Sequence, residues 1–517
     1  MSDYSKPLEI SIELVKAWGE TRLPNGKTLS EHFTFNGISF WELVTPELAI
    51  YQVTMALSKD GNSTSLLKSI RPHVTLIKHR IINYIKLLKV AKTELHQQSP
   101  LFLFLGFSGY MYRDVLHPVA KTLLEHDNIA GLVIHDGQLN ESYMPMQNVH
   151  SQSIWQYWNK DTSRDSTLCR RQLNQAIKDL HSMNVLHDII CFEQRTLWPQ
   201  MKNAFNWLFN FHFKLLVPHV ILAERIFKKY NPSLIISSDI ADPRTRLYNL
   251  IARNKNKPVL EIQFGPLEEG LEWNFLLADK VAVWGKKDGQ KILRNGIAEN
   301  RIVITGSPRH DDLINVKDSE ICKVRQQLGV PEGAKMILLA STYHLKEYNS
   351  ISSPELILSM KQAVIDAADK VVGVYLVVKP HPLEDVKETT SLMENKKNVV
   401  IIDAKEDIRK YIKACDVYVG FGSTVTIDAM VANKLTICPV FDGWIWSELF
   451  VTTNATLVPR SAEEILSLFY SISDGSYLHK MEELRPALEC YLQDMLYKID
   501  GNSSTRIIQA AIAMKKD

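Results

Sequence analysis

Among the six cysteines of the chain (Cys169, Cys191, Cys322, Cys415, Cys438 and Cys490) there is no C-x-x-C pair and no zinc-ligand spacing. Scattered in this way they read as reduced, mostly core thiols, which suits the cytoplasm. No run of about 18 apolar residues occurs, so no segment is expected to span a membrane. The opening residues, Met1-Ser2-Asp3-Tyr4-Ser5-Lys6-Pro7, lack a basic stretch followed by an apolar one, and no secretory signal is expected. An excess of one charge is missing too: the formal net charge of +2 gives no argument for nucleic acid as a partner. The chain has no internal repeat, no low-complexity tract and no Asp-x-Asp, so a metal-held diphosphate of the Asp-x-Asp kind finds no support.

What is present is a soluble globular composition, 45% hydrophobic and 23% charged over 517 residues, which is too long for one core and divides most simply into two domains. The chemistry-bearing signals are turns that follow short β-branched runs. Val374 to Val378 leads into Lys379-Pro380-His381-Pro382, and Val417 to Val419 into Gly420-Phe421-Gly422-Ser423-Thr424. A third run, Ile302 to Ile304, leads into Thr305-Gly306-Ser307-Pro308-Arg309-His310-Asp311. Buried parallel strands read as such runs, and ligands of open parallel sheets sit at the carboxyl ends of the strands. The two prolines fix the direction of His381. Gly420 and Gly422 admit a close backbone approach, while Ser423 or Thr424 can cap the helix that follows and leave free N–H groups facing an anion. Each turn alone is more often a surface loop than a site; three in one half of the chain read as a phosphate site.

In chain order, 8–18 is a strand or short helix and 40–55 is helical. Residues 65–95 carry apolar residues at helical spacing with Lys68, Arg71, Lys78, Arg80, Lys86, Lys89 and Lys92; such a basic helix is either a solvated face or a contact with an anionic membrane surface. Strands are expected at 101–105 and 129–134 around a helix at 116–124, and the aromatic-rich stretch 138–165 reads as an insertion. Helices dominate 170–230, although Phe205, Trp207, Phe209, Phe211 and Phe213 recur at the strand period; helix is favoured there, interrupted or kinked at Pro218. Strands at 233–238, 258–262 and 280–283 follow. The second domain then alternates strands near 301, 336, 374, 399, 417 and 435 with helices. Asp239, Glu268 and Glu269 stand at or just past strand ends in the first half.

The run Asp279-Lys280-Val281-Ala282-Val283-Trp284-Gly285, with Asn295-Gly296-Ile297, Ile304-Thr305-Gly306-Ser307-Pro308-Arg309-His310-Asp311, Lys379-Pro380-His381-Pro382 and Gly422-Ser423-Thr424-Val425-Thr426-Ile427-Asp428-Ala429, resembles bacterial GT-B glycosyltransferases that build surface polysaccharides. The resemblance covers roughly 239–442. It implies an α/β GT-B fold, two Rossmann-like domains facing across a cleft with extra helices in the N-terminal half: an acceptor domain over 1–285, a donor domain over 286–500, and a last helix over 501–517 packing back on the first domain.

The His-Pro turn followed by a Ser/Thr turn is similar to the nucleotide-binding pair of enzymes that use cytidine-activated donors, namely sialyl-, polysialyl- and Kdo transferases and CDP-polyol phosphotransferases. By that resemblance His381, Ser423 and Thr424 hold the donor phosphate, with Ser307, Arg309, Lys379 and Gly422 completing a metal-free nucleotide site that needs no cofactor. A general base is expected among Asp239, Glu268 and Glu269, with His135-Asp136-Gly137 a rival turn. The function implied first is transfer of a CMP-linked 2-keto acid sugar, such as Kdo or a sialic-type sugar, to a glycan or lipid-linked glycan acceptor in the cytoplasm. The alternatives are a UDP-sugar transferase or UDP-GlcNAc 2-epimerase-like enzyme, a CDP-polyol phosphotransferase, and a catalytically silent nucleotide-binding module. Many relatives have Gln-His-Gly where this chain has Gln263-Phe264-Gly265, and that departure favours the silent module.

Overall fold

A computed structural model describes residues 2–53, 100–126, 128–137, 148–267, 270–314, 317–343, 353–444 and 453–515. Glu268, Glu269 and the basic stretch 65–95 lie outside the described residues. The chain divides into two compact units, the first formed by Met1–Arg309 with Ser503–Asp517 and the second by His310–Asn502.

The first unit is built on a seven-stranded parallel sheet of β1 (Leu101–Leu105), β2 (Ala130–His135), β3 (Val149–Ser153), β4 (Leu234–Ser237), β5 (Val259–Ile262), β6 (Lys280–Val283) and β7 (Ile302–Ile304), in the order β7-β6-β5-β4-β1-β2-β3. The central strands are apolar throughout because both faces are covered. Leu103, Leu132, Ile134 and Ile235 pack against the N-terminal helices and their aromatic residues. Phe102, Phe104, Val133 and Ile236 pack on the opposite face against Val115, Val119 and the last helix, Ser503–Met514, through Ile507, Ile508 and Ala511.

The aromatic run is helical: Trp198–Trp207 and Phe213–Tyr230 are joined by a wide π-type turn, Leu208–His212. Phe205, Phe209 and Phe213, spaced by four, form a contiguous ring stack with Phe33 and Trp41. Pro218 neither ends nor interrupts the second helix, because Val217 and Pro218 are buried and packing holds the turn that lacks one backbone bond. The segment 8–18 lies within a helix, Ser2–Glu20.

Two sequence expectations change. Part of 138–165 is not an insertion: β3 pairs with β2 in parallel register, Leu132 opposite His150. Its half-buried, polar sequence is that of an edge strand, which lacks the apolar run of a central one. The strand near 301 does not open the second domain. As β7 it pairs with β6, Val281 opposite Ile302, so the helix Lys286–Arg294 is a crossover of the first sheet and the units divide at 309/310 rather than after 285.

The second unit holds a five-stranded parallel sheet of β8 (Lys335–Ala340), β9 (Val374–Lys379), β10 (Val399–Ile401), β11 (Val417–Gly420) and β12 (Leu435–Ile437), in the order β10-β9-β8-β11-β12. One face is covered by the helices Pro354–Lys370 and Ala462–Ser473, the other by Ile408–Ala414. In both sheets the first strand of the unit lies inside and the order reverses beside it, between β1 and β4 and between β8 and β11. In such sheets the crevice outside the carboxyl ends of the strands, at that reversal, is where ligands bind.

Candidate functional site

In the second unit, register brings three turns side by side. Ala340 is opposite Lys379 on one side and Gly420 on the other, so the chain leaves β8, β9 and β11 at one level. The His381 ring stacks on that of Tyr343, with centroids 4.2 Å apart and planes at 22°. Its Nδ1 accepts the Leu383 N–H at 3.1 Å, so the neutral ring carries its proton on Nε2, the nitrogen left to donate. Burial lowers the His381 pKa; Glu384 opposes this, and Lys379 and Lys361 add to it.

The turn is fixed by Glu384, which the sequence reading missed. One carboxylate oxygen accepts the His381 N–H at 2.9 Å; the other takes Lys361 Nζ at 2.7 Å, Ser341 Oγ at 2.9 Å and the Thr389 hydroxyl. Its signal was an acid three residues past the histidine, at the reach of a turn that closes on its own backbone. Lys379 works in the same framework. Expected to face a phosphate, it is buried, and its ammonium donates to the Pro380 and Ala404 carbonyls at 3.1 and 2.6 Å.

Gly422 adopts φ of +86°, which only glycine takes without strain, and a Cβ on Gly420 would collide with the Tyr418 hydroxyl. The helix Val425–Val431 begins without a side-chain cap; Thr424 makes none, contrary to expectation, because it already has helical torsions, φ −52° and ψ −29°. Ser423 is exposed. Beneath the helix, Asp428 is buried and pairs with His310 Nε2 at 3.0 Å. A cavity of about 260 Å³ in this unit is lined by Val431 to Lys434 at the far end of the same helix, away from these turns.

The strand-end turns of the first unit carry acids and aromatics instead. Asp239 follows β4 at the reversal of strand order. Its Oδ1 accepts the N–H groups of Ala241 and Asp242 at 3.2 and 3.0 Å, and its Oδ2 has no hydrogen-bond partner among the described residues. Burial and then the charge of Asp242 push its pKa up to about 6, against the pull of Arg244. Burial also pushes up Asp242, but its contacts with Arg244 outweigh that and leave it lowered. The guanidinium spans Asp242 at 2.6 Å, Asp136 at 2.5 Å and the Phe107 carbonyl at 3.3 Å, which makes Asp136 of the rival turn an ion-pair partner. The loop after β5 is rigid because Gln263 donates to Asp288 and Gly265 and accepts from Trp284. Phe264 therefore holds a fixed place, its ring edge-on to Tyr110 at 5.4 Å. Below, on β5, burial raises Glu261 to about 8 despite its bonds from Ser237 and Asn249.

Ser307 and Arg309 belong to this unit and not to that of His381. Arg309 is buried and donates to Asp114 at 2.7 Å, an ion pair in place of the expected phosphate contact. The Ser307 hydroxyl is buried without a partner among the described residues. Among the described residues no group of three or more His, Cys, Asp or Glu could hold a metal ion, and no helix is long and apolar enough to cross a membrane.

Residues 292–511 match the sequence profile of a family described as CDP-glycerol:poly(glycerophosphate) glycerophosphotransferase. No curated protein matches the chain. Solved structures do. A provisionally assigned UDP-N-acetylglucosamine 2-epimerase from Listeria monocytogenes is similar at 12% identity and a TM-score of 0.52, over 81% of this chain and 97% of its own. S. aureus MnaA with UDP gives 14% and 0.51, over 79% and 94%. A histidine variant (H548A) of the wall teichoic acid polymerase TagF gives 11% and 0.51, over 86% and 98%. At such identities the likeness shows the fold, an α/β GT-B architecture of two units.

Proposed function

We propose that this chain is a transferase of cytidine-diphosphate-activated polyols, moving a polyol phosphate such as glycerol phosphate from its CDP ester to a hydroxyl of a surface-polymer acceptor. The observation that carries the reading is a coincidence of place. The segment that matches the glycerophosphotransferase family, 292–511, contains the whole strand-end site of the second unit, with the Nε2–H of His381 and the uncapped helix after Gly422. In the reaction the acceptor oxygen bonds the β-phosphorus, the bridging P–O bond breaks, CMP leaves with the electron pair, and the hydroxyl proton passes to a base. Charge that develops on the leaving phosphate is met by His381 and by backbone N–H groups already in place. The CMP-linked 2-keto sugar, first among the sequence expectations, now ranks behind the CDP-polyol, since no comparison supports it. The work is placed on the cytoplasmic side, where such donors are found.

Thermal stabilisation by CDP-glycerol, CMP, UDP and UDP-N-acetylglucosamine tests the donor, because a ligand bound only by the folded state adds about 2.7 kcal/mol at a hundredfold excess over Kd. CDP-glycerol is expected to stabilise the wild type and to lose that effect in His381→Gln. Stabilisation by UDP-N-acetylglucosamine alone would move the chain to the epimerase-like reading, which the fold permits equally. Binding of CDP-glycerol with no CMP released in the presence of acceptors would make it a silent module, the reading favoured by Phe264 where relatives carry histidine.

A further inference from the structure

His381 meets a phosphate through Nε2–H, and that N–H has a fixed aim only if the ring has one. A histidine ring is not fixed by its own covalent structure: its outer torsion is broad and two-fold, and either nitrogen can carry the proton of the neutral form. Pro380 and Pro382 direct the backbone and leave the imidazole free to turn. One contact acts in the plane of the ring, the Leu383 N–H on Nδ1 at 3.1 Å, and it selects the Nε2–H tautomer. That bond is exposed, so water competes for the same nitrogen, and a bond to the edge of a ring does little against rotation out of its plane.

The neighbouring strand supplies the second constraint. β8 and β9 are in register, Ala340 opposite Lys379, and the ladder runs one residue further, with the Ser341 N–H on the Lys379 carbonyl at 3.0 Å. Ser341 Oγ then binds Glu384, the acid that holds the His381 N–H. The two turns therefore leave the sheet side by side, and Tyr343, two residues past Ser341, lies against His381, two past Lys379. The rings are 22° from parallel with centroids 4.2 Å apart, a contact of face on face. A flat ring on the imidazole face opposes the rotation that the Leu383 bond allows. It also takes water off that face, and burial is the first cause of the lowered His381 pKa, ahead of the opposing Glu384 and of Lys379 and Lys361. Resting on the transferase reading, we propose that Tyr343 is the positioning residue of the donor site: its ring face and the Leu383 N–H together hold His381 as the Nε2–H tautomer in one orientation, and Tyr343 acts on the donor through His381 alone.

The test uses the full chain with 15N-labelled histidine. Long-range 1H–15N spectra, with the His381 signals identified by their loss in His381→Gln, read the tautomer in the absence of any nucleotide; titration calorimetry with CDP-glycerol reads what that tautomer does for binding. Wild type and Tyr343→Phe should show two distinct ring nitrogens, Nδ1 bare and Nε2 protonated. Tyr343→Ala, and Tyr343→Leu, which fills the space without a flat face, should show averaged nitrogens, the mark of mixed tautomers. Kd for CDP-glycerol should rise about 10-fold in the Ala and Leu variants, the loss of an aimed hydrogen bond to a charged group, and stay within about twofold in Tyr343→Phe. Added to His381→Gln, Tyr343→Leu should weaken Kd no further, since two residues that act through one contact do not add. A single tautomer and an unchanged Kd in Tyr343→Leu overturn the proposal. So does a loss that persists beside His381→Gln, which would put Tyr343 on the donor itself, or a Tyr343→Phe as damaged as Tyr343→Ala, which would make the hydroxyl the active part. If CDP-glycerol does not bind the wild type, the donor reading fails by itself, and the spectra decide the positioning alone: mixed tautomers in Tyr343→Leu support it, and a single one overturns it.

Discussion

The two sheets share one topology and finish it in opposite chemistry. Among the described residues at the strand ends of the second unit, Glu384 is locked onto Lys361 and Asp428 pairs with His310, beside an imidazole N–H, a glycine turn and a helix start without a side-chain cap. At those of the first unit the cations are the groups that are used up, by Asp136, Asp242 and Asp114, and a carboxylate oxygen and two aromatic rings remain. Topology says where ligands bind; which charges are already spent says what binds. On the transferase reading the second edge is the one that suits a phosphate.

The largest effect expected breaks the second edge. Glu384→Ala leaves the Lys361 ammonium, 2% exposed, without its partner and frees the His381 turn. Removing one member of a buried pair costs about 3–5 kcal/mol. Chemical denaturation should show that loss in the second unit, together with loss of stabilisation by CDP-glycerol. Lys361→Met combined with Glu384→Gln should recover most of the stability and little of the nucleotide effect, since the second oxygen no longer carries charge to hold the turn.

The next effect concerns the floor of the first edge. Glu261 has its pKa raised from 4.5 to about 8 by burial. The unfolded chain ionises it near 4.5 and the folded one only near 8, so its contribution to stability is full below the lower value and is lost as pH rises to the upper one. Glu261→Gln removes that loss. The variant should be more stable than wild type at pH 8 by about 4 kcal/mol, which at roughly 2–4 °C per kcal/mol is visible as a higher Tm, and equal to it near pH 4.5. A wild-type stability that does not fall between these pH values would show Glu261 ionised, and the charge assigned to the first edge would have to be recounted.

These variants rest on residues the sequence revealed unevenly. The central strands were legible because burial on both faces writes an apolar run. Edge strand β3 has no such run, and β7 has one but nothing in its own residues says which sheet it joins. Helix 198–230 was recognisable only against its alternating aromatics, because a helix puts Phe205, Phe209 and Phe213 on one face whatever lies between. Turns after strands pointed to Asp239 and Gly422, which stand at the reversal points, and to His381, which follows β9 one strand away from its reversal. They could not tell a ligand contact from an internal one. Lys379 and Arg309 looked like phosphate ligands and are held by carbonyls and by Asp114, while Glu384, which no turn signal singled out, holds the turn. Local pattern gives position; the partner comes from residues far away in sequence.

Opposite charge should also give opposite pH responses, each about tenfold per pH unit within its range. His381 has its pKa lowered from 6.5 by burial, so it is neutral at pH 7 and gains a proton only on acidification. Donor affinity, measured by titration calorimetry, should therefore rise as pH falls below 6.5, and His381→Gln should abolish the trend. Asp239, faced by Asp242, Arg244, Glu261 and Tyr110, must be ionised if it is the base of the transfer, and its pKa stands near 6. In that case transfer at saturating donor should fall as pH drops through about 6. The two limbs moving together would mean that one group governs both edges.

The smallest effect sharpens the second edge. Ser423 is exposed, its side chain does not cap the helix Val425–Val431, and its backbone carbonyl already accepts the Thr426 N–H at 2.9 Å. Ser423→Ala removes an exposed hydroxyl that caps no helix and whose side-chain contact is with the Tyr418 hydroxyl, and stability should stay within about 1 kcal/mol of wild type. A hydrogen bond to a charged phosphate is worth ~1.5–3 kcal/mol, so Kd for CDP-glycerol should weaken by roughly 10- to 100-fold if the hydroxyl meets the donor. An unchanged Kd would assign anion binding at this turn to the backbone N–H groups and to His381 alone, and would leave Gly422, which sets the course of that backbone, as the residue of the turn that matters most.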